Sequence, residues 1–224
     1  MSTNLGKSPA DALSIYAPNP LQGTGAWFND RIGHLTASRM RSAKKRLKNG
    51  KDSAERRDLI IEIVAERMTD SIVPKYTNMA MEHGLEQEPH GKAAYTRLTG
   101  KRIIDVGFIK HPLIQYFGAS PDGFVQDGLI EIKCPTTKTH LTWIYEGGIP
   151  DEHIDQMTVQ CAVTMRPWCD FVSYDPRVPE AQQLFIRRFY PTEQQIEDIE
   201  TEALAFLEEI EAFFEVITRR EMLG

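Results

Sequence analysis

The spacing of apolar residues predicts three long amphipathic helices. Over 53–70, apolar residues recur every three or four positions, which predicts a helix with one buried face. Pro74 ends that pattern, and a second long helix is expected over 78–98. A third helix begins at Thr192 or Glu193. Its buried side is expected to contain Ile196, Ile199, Ala203, Phe206, Leu207, Ile210, Phe213 and Ile217.

Alternating apolar and polar residues predict β-strands in the middle of the chain. Segments 101–110 and 115–119 are expected to form adjacent antiparallel strands, joined by a turn at His111 and Pro112. Further strands are predicted over 129–133, 168–174 and 184–190. Because helices and strands are interspersed, the pattern predicts an α/β (α+β) fold with one central mixed β-sheet flanked by helices.

Length and composition predict a soluble globular protein. Residues 1–22 have little periodicity and several prolines, which favours an extended or disordered arm, followed by a single domain over 23–224. We find no apolar run long enough to span a membrane and no signal-peptide pattern. The three cysteines lack metal-binding spacing, which is typical of a reducing, cytoplasmic setting.

The net charge of -6 is unevenly distributed. Residues 31–57 contain ten Lys and Arg against two acids, whereas 193–221 contains ten acids against two arginines. This asymmetry predicts a basic face for phosphates and an acidic face held away from them. Taken alone, the charge pattern is equally typical of two solvated surfaces without a partner.

Chemistry-bearing residues concentrate in one short segment. Asp122 opens a turn, and the predicted strand 129–133 places Glu131 and Lys133 on the same side. A hairpin would bring Asp122 back beside Glu131. Because adjacent carboxylates repel each other, such a cluster is costly unless something binds there. A hard divalent cation with oxygen ligands is the natural occupant.

Three interpretations of this cluster are open. It is a surface turn with a Glu131–Lys133 salt bridge, or a structural Ca²⁺ or Mg²⁺ site, or a phosphodiesterase centre. In the third, Asp122 and Glu131 hold one or two Mg²⁺ ions, with the Ile132 carbonyl as a further ligand. Lys133 then steers or deprotonates the water and offsets charge in the transition state. Only this interpretation explains a lysine on the same face as the acids.

The second long helix adds candidate groups. His83, Glu86 and His90 fall on roughly one face. We expect Glu86 to face the acidic cluster, directly or through water. The histidines are expected to be structural or orienting groups, because their spacing does not match a zinc site. A later helix is expected to direct Gln156 and Gln160 outward.

A candidate phosphate site precedes these elements. Thr36 or Ser38 would cap a helix that continues to about Lys48. If the preceding segment is helical, Trp27 and Arg31 are neighbours at positions i and i+4. An arginine, a hydroxyl and a helix N-terminus together suit a phosphate. Without other evidence, a surface arginine with an ordinary cap is the preferred interpretation.

The segments 120–123 (SPDG) and 131–135 (EIKCP) resemble the PD-(D/E)xK nuclease core, which has a restriction-endonuclease-like fold. More narrowly, the chain resembles the phage lambda exonuclease branch, the YqaJ-like viral recombinases. The resemblance covers nearly the whole chain from Trp27, and its other blocks occur in the expected order: Trp27 with 31–33 and 36–38, 84–86 with Glu88, Gln156 with Gln160, and 174–177.

This resemblance implies a Mg²⁺-dependent exonuclease, with Mn²⁺ as a substitute, that degrades linear double-stranded DNA in the 5′-to-3′ direction. The product would carry 3′ single-stranded overhangs for phage-type recombination by single-strand annealing. It also implies a homotrimeric ring around DNA, a single-strand annealing protein as partner, and a phage or prophage origin in a bacterial cytoplasm.

Carried over by position, the resemblance assigns the catalytic centre to Asp122, Glu131, Lys133 and the Ile132 carbonyl, supported by Glu86 and Gln160. Asp122, Glu131 and the Ile132 carbonyl are the implied metal ligands.

The resemblance also implies a set of DNA and 5′-phosphate contacts, namely Arg31, Ser38 and Ser120, with Trp27 and Lys138 beside them. Thr139 stands where the family pattern has an arginine, and Lys138 or His140 are the candidates to replace that charge. Two alternatives keep the same core: a restriction-like or structure-specific endonuclease, and a non-catalytic DNA-end-binding subunit.

Overall fold

The computed structural model describes residues 20–73 and 79–221. Within these ranges lie seven α-helices: α1 (Gly25–Arg31), α2 (Met40–Lys44), α3 (Ala54–Thr69), α4 (Met79–Thr99), α5 (Thr137–Glu146), α6 (Asp151–Thr164) and α7 (Glu193–Glu221). The strands are β1 (Leu35–Thr36), β2 (Ile109–Lys110), β3 (Phe117–Ala119), β4 (Gly123–Val125), β5 (Gly128–Lys133), β6 (Cys169–Tyr174) and β7 (Leu184–Phe189). The three long helices predicted from periodicity are α3, α4 and α7.

The strands form two sheets instead of the single sheet predicted. A small sheet has the order β1-β3-β2, and a larger mixed sheet has the order β4-β5-β6-β7, with β5 and β6 parallel. The predicted strand 101–110 is divided between the two sheets. Ile104 bridges to Phe124 in β4, whereas Ile109 pairs with Ala119 in β3. Because this segment changes partner midway, only its last two residues form a ladder.

Strand β5 has a different environment on each face. Ile130 and Ile132 face α4, where they contribute to a core with Ala94 and Tyr95. Leu129 belongs to the other core cluster, which includes Met157 of α6. Alternation along the strand therefore directs Glu131 and Lys133 to the same side, as predicted, while the neighbouring isoleucines are buried. The structure shows that this side faces α6.

The predicted helix from Thr36 to Lys48 is wrong. A 3₁₀ turn at Ala37–Arg39 leads into α2, which ends at Lys44, and the Thr36 side chain makes no capping hydrogen bond. Beyond α2, Arg46 pairs with Asp52 across a turn that contains Gly50 at φ +79°. This pairing draws residues 45–48 out of the helix.

The acidic helix α7 lies against the basic segment instead of being held apart from it. Glu209 accepts hydrogen bonds of 2.6 and 2.7 Å from the buried Arg56. Just beyond the basic segment, Glu211 accepts one of 2.5 Å from Arg67. In all, six of the ten basic residues in 31–57 are ion-paired: Arg39, Arg41, Lys44, Lys45, Arg46 and Arg56. Much of the predicted basic face is thus neutralised internally. Among the described helices, none is long and apolar enough to cross a membrane.

Two other predictions concern the ends of the chain. The predicted arm falls mostly on residues 1–19, outside the described ranges, so it stays a prediction. Its last residues are described: Leu21 pairs with Gly107, and Gln22 donates to the Pro121 carbonyl at 2.7 Å. The predicted start of the last helix is confirmed, because Thr192 Oγ1 accepts from the Gln195 N–H at 3.1 Å.

We expect Gly128→Ala to lower the free energy of unfolding by about 1–3 kcal/mol, because the new methyl would overpack the core. A Cβ at Gly128, the first residue of β5, would lie 2.1 Å from the Trp168 ring. The measurement is a pair of urea unfolding curves. Gly148→Ala is the matched control, since its Cβ would meet nothing within 4 Å. Equal midpoints for the two variants would contradict the prediction.

Candidate active site

The β4–β5 hairpin brings Asp122 beside the strand that carries Glu131. The Asp122 N–H donates to the Ile130 carbonyl at 3.2 Å, and the Ile132 N–H donates to Asp122 Oδ2 at 2.6 Å. In a β-strand, the N–H and C=O of one residue point to the same edge. The Ile132 carbonyl therefore leaves β5 on the side of Asp122, where the sequence predicted an oxygen ligand.

Glu131 is buried and receives three hydrogen-bond donors. Lys133 Nζ lies 2.5 Å from Glu131 Oε1, Gln156 Nε2 lies 2.6 Å from the same oxygen, and Gln160 Nε2 lies 2.5 Å from Oε2. The two glutamines are one turn apart on α6 and therefore share a face. The prediction that they point outward is wrong, because a buried carboxylate requires donors and these amides supply them without adding charge.

The site holds more negative than positive charge. Burial, and then the charges of Glu131 and Glu88, raise the pKa of Asp122 well above its ordinary value. Burial lowers the pKa of Lys133, but Glu131, Asp122 and Glu88 outweigh burial and raise it. Three carboxylates thus act on one ammonium, so the arrangement favours a further cation.

Glu88, and not Glu86, is the α4 carboxylate directed at this cluster. Glu88 lines the same cavity as Lys133, whereas Glu86 is exposed and does not line it. Residues two apart on a helix lie on nearly opposite sides, so the two glutamates cannot share a role. Gly91 is the residue in the sequence that could have distinguished the two glutamates, because a glycine inside a helix indicates close packing on that face. In the structure Gly91 packs against Ile132, and Glu88 lies one turn before it.

A cavity of about 530 Å³ opens above Lys133. Its lining comes from α4, β5, α5 and α6: Gly84, Leu85, Glu88, Ile132, Lys133, Cys134, Pro135, Thr139, Trp143, Glu152 and His153. Burial raises the pKa of the Cys134 thiol to about 12, so the thiolate is scarce at neutral pH. Burial, and then Lys133 and Arg41, lower the pKa of His153 to about 3, so its imidazole is uncharged.

Lys138 and His140 are the candidates to supply the positive charge that the family pattern has at the position of Thr139, and they differ in exposure. Thr139 lines the cavity, and its hydroxyl lies 3.0 Å from that of Thr136. His140 is fully buried, with Nδ1 2.7 Å from Ser173 Oγ and Nε2 2.8 Å from the Gln182 carbonyl. His140 is therefore a structural residue, and its prediction as a substitute is wrong. Lys138 is exposed on the first turn of α5, outside the residues that line the cavity.

The predicted phosphate-binding residues also converge. Ser120 Oγ accepts hydrogen bonds from Trp27 Nε1 at 3.0 Å and from Arg31 Nη1 at 3.3 Å. The Arg31 guanidinium lies 4.3 Å from the centre of the Trp27 ring. Trp27, Arg31 and Ser38 line a second cavity of about 730 Å³, in which Ser38 is exposed.

Arg31 carries a poorly solvated charge. Burial, and then repulsion from Arg39, lower the pKa of Arg31 to about 10. An anion placed against this guanidinium would compensate for both effects. Ser120, which Arg31 contacts, is two residues before Asp122, so an anion bound here would lie close to the carboxylate cluster.

The donor set fits a hard divalent cation. In the described ranges, no three His, Cys, Asp or Glu side chains are assembled closely enough to hold a metal ion by themselves. The candidate ligands are instead two carboxylates, Asp122 and Glu131, with the Ile132 carbonyl, and Glu88 lies nearby. All are oxygens. Burial, and then the charges of Glu131 and Glu88, raise the pKa of Asp122, and a bound cation would offset those charges.

The sequence model of one protein family, the YqaJ-like viral recombinase domain, matches residues 26–167 of the chain. This range contains Arg31, Asp122, Glu131 and Lys133 and spans more than half of the sequence. The chain belongs to the YqaJ-like viral recombinase family. The resemblance predicted from the segments 120–123 and 131–135 is therefore confirmed.

Solved structures agree with this YqaJ-like assignment. An alkaline exonuclease from Laribacter hongkongensis (LHK-Exo) is 44% identical, with a TM-score of 0.82, over 89% of this chain and 98% of that one. The structure of LHK-Exo with dAMP gives the same identity and coverage and a TM-score of 0.83. These matches confirm the predicted mixed α/β fold.

A more distant structure matches the fold alone. A phage-related exonuclease from Haemophilus somnus 129PT has 12% identity and a TM-score of 0.58, over 84% of this chain and 96% of that one. No curated protein matches the sequence.

Proposed function

We propose that this YqaJ-like protein is a Mg²⁺-dependent 5′-to-3′ exonuclease that degrades one strand of linear double-stranded DNA. The observation that carries the proposal is the convergence of Asp122, Glu131 and Lys133 beside an arginine–serine pair suited to a phosphate. The family supports a nuclease acting in recombination, and the 44% identical relative is an alkaline exonuclease. That relative also accommodates dAMP, a mononucleotide of the kind such an exonuclease would release.

Each side chain has a distinct part in the proposed hydrolysis. Asp122, Glu131 and the Ile132 carbonyl would hold Mg²⁺, with Glu88 as a further carboxylate. When bound, the metal supplies Lewis-acid stabilisation of charge on the phosphoryl oxygens. Gln156 and Gln160 fix the Glu131 carboxylate through 2.6 and 2.5 Å hydrogen bonds. They are positioning residues.

Lys133 is assigned to the attacking water and the developing charge. Burial lowers the pKa of Lys133, but the charges of Glu131, Asp122 and Glu88 outweigh burial and favour the ammonium form. An ammonium in a largely buried site can orient water and stabilise negative charge on the reacting phosphate. This favours charge stabilisation over proton abstraction as the first role of Lys133.

The candidate phosphate contacts support the proposed 5′-to-3′ direction. Arg31, Ser38 and Ser120, flanked by Trp27, would bind a terminal 5′-phosphate. Because Ser120 is two residues before Asp122, a strand held there by its 5′ end would present its first phosphodiester to the metal ligands. Lys138 would contact the DNA outside the cavity.

The remaining elements of the proposal concern assembly and context. We infer a homotrimeric ring around the DNA, a single-strand annealing protein that takes up the 3′ overhang, and a phage or prophage protein acting in the host cytoplasm. A native mass of one chain at working concentration would contradict the ring.

One assay separates this function from its alternatives. Pure protein with Mg²⁺ is incubated with 5′-phosphorylated linear duplex, 5′-hydroxyl linear duplex or closed circular DNA. Mononucleotide release from linear DNA, fastest with the 5′-phosphate, is the expected result, and Mn²⁺ should substitute. Cleavage of the circle would point instead to an endonuclease, and binding without cleavage to a DNA-end-binding subunit.

We expect Arg31→Gln to reduce the preference for a 5′-phosphate over a 5′-hydroxyl by about 10- to 100-fold, since a hydrogen bond to a charged group contributes about 1.5–3 kcal/mol. The measurement is the ratio of kcat/KM values on the two linear duplexes. Arg57→Gln is the control because Arg57 is exposed in the same basic segment but does not line the Arg31 cavity. An unchanged ratio in Arg31→Gln would remove Arg31 from the phosphate site.

A further inference from the structure

A third cavity, of about 470 Å³, lies along the second half of α4 and the segment that follows it. It is lined by Lys92, Ala93, Thr96, Arg97, Arg102, Ile103 and Asp105. Three of these residues are basic and one is acidic. We call it the basic cavity.

Two contacts join the basic cavity to the candidate active site. Lys92 Nζ lies 3.1 Å from Glu88 Oε1 and 2.9 Å from Asp105 Oδ1. Lys92 therefore links the basic cavity to the cavity above Lys133, which we call the catalytic cavity. On the other side, a Cβ at Gly123 would lie 2.4 Å from the Ile103 side chain. Lys92 of the basic cavity thus contacts Glu88 directly, and Ile103 packs against the buried Gly123, the residue after Asp122.

The positive charge of the basic cavity is available for a ligand. Arg97 and Arg102 are exposed, and neither forms an ion pair within the described ranges. Lys92 differs, because Glu88 and Asp105 already offset its charge and raise its pKa against the opposing effect of burial. The uncompensated charge thus comes from two arginines, whose planar guanidinium groups match phosphate oxygens.

We propose that the basic cavity binds the sugar–phosphate backbone of substrate DNA beyond the reacting phosphate, with Arg97 and Arg102 as the phosphate contacts. This inference rests on the proposed nuclease function of the neighbouring cluster. DNA that enters the catalytic cavity continues onto an adjacent surface, and the basic cavity adjoins Glu88 through Lys92. Within the described ranges neither arginine has a carboxylate partner, so the pair suits two successive backbone phosphates. A single small anion would need only one of them.

The test is the salt dependence of DNA binding by the double variant Arg97→Gln/Arg102→Gln. Binding of 5′-phosphorylated duplex is followed by fluorescence anisotropy without Mg²⁺, so that no cleavage occurs. Each phosphate contact contributes about 0.9 to the slope of log K against log salt, so the slope should fall by about 2. The affinity loss should accordingly be about tenfold larger at ~50 mM than at ~200 mM salt.

Two controls isolate the effect from net charge and from folding. Lys110→Gln/Arg219→Gln removes the same charge from exposed positions that line neither the catalytic cavity nor the basic cavity. Arg97→Lys/Arg102→Lys keeps the charge and should restore most of the slope. Slopes that are equal in the glutamine double variant and its charge-matched control would overturn the proposal.

The outcome is separable from that of the proposed function. If the wild-type protein binds duplex but releases no nucleotide, the nuclease proposal fails, while the slopes still decide whether DNA occupies the basic cavity. If the wild-type protein is active, the double variant should show a raised KM with kcat within about twofold, because these arginines do not touch the reacting atoms. A reduced kcat with unchanged binding would contradict the assignment.

Discussion

Lys133→Met is expected to reduce the rate of hydrolysis of linear duplex DNA by about 10²- to 10³-fold, the usual cost of removing one group that stabilises charge in the transition state. Lys133 is the basic side chain that contacts Glu131, at 2.5 Å. Its removal takes away the charge that would orient water and stabilise the reacting phosphate. DNA binding should persist, because the Arg31–Ser120 pair does not depend on Lys133. Single-turnover hydrolysis and anisotropy on the same duplex measure the two effects.

Two further variants sharpen the Lys133 experiment. Lys133→Arg keeps the positive charge but not the compact ammonium, and partial activity would separate charge from geometry. Lys110→Met changes an exposed lysine outside the catalytic cavity and should behave as wild type. Activity in Lys133→Met above about a tenth of wild type would assign the catalytic charge elsewhere. A melting curve checks folding. We expect Lys133→Met to remain folded, because Glu131 retains its two glutamine donors.

Local patterns were sufficient to predict the hairpin that brings Asp122 beside Glu131. A turn at Asp122 and an alternating strand ending at Lys133 fix which side chains share a face, because side-chain direction in a strand has a period of two. The contact of the Ile132 N–H with Asp122 Oδ2 at 2.6 Å follows from that geometry. The same holds for long helices such as α3, whose cap at Ser53 accepts from the Arg56 N–H.

Contacts between distant segments could not be predicted in this way. Gln156 and Gln160 point inward because Glu131 of another element needs donors, which their own helix does not reveal. His140 is buried because Ser173 and the Gln182 carbonyl lie beside it. The predicted basic face was similarly misjudged, since Glu209 and other acids far away in sequence meet those side chains.

The prediction that Glu86 faces the acidic cluster was wrong, because the sequence does not show which face of α4 meets the sheet. A helix places residues two positions apart on nearly opposite sides, so choosing between Glu86 and Glu88 requires knowing which face of α4 meets the sheet. Gly91 marks that face, because it approaches Ile132 so closely that a Cβ there would lie 3.1 Å from the isoleucine side chain. Glu88 lies one turn before Gly91 and lines the catalytic cavity.

Glu88→Gln is therefore expected to cost about 10- to 100-fold in activity or metal affinity, as for the loss of a group that supports a metal site. The half-saturating Mg²⁺ concentration should rise together with the loss of kcat, because a carboxylate acting on Asp122 has been neutralised. Glu86→Gln makes the same chemical change two positions away on an exposed side of α4 and should stay within about twofold of wild type. Mg²⁺ titrations of single-turnover hydrolysis compare the two variants directly. If Glu86→Gln proved the more damaging change, the face of α4 assigned to catalysis would be wrong. The contact between Lys92 and Glu88 would then no longer connect the basic cavity to the active site.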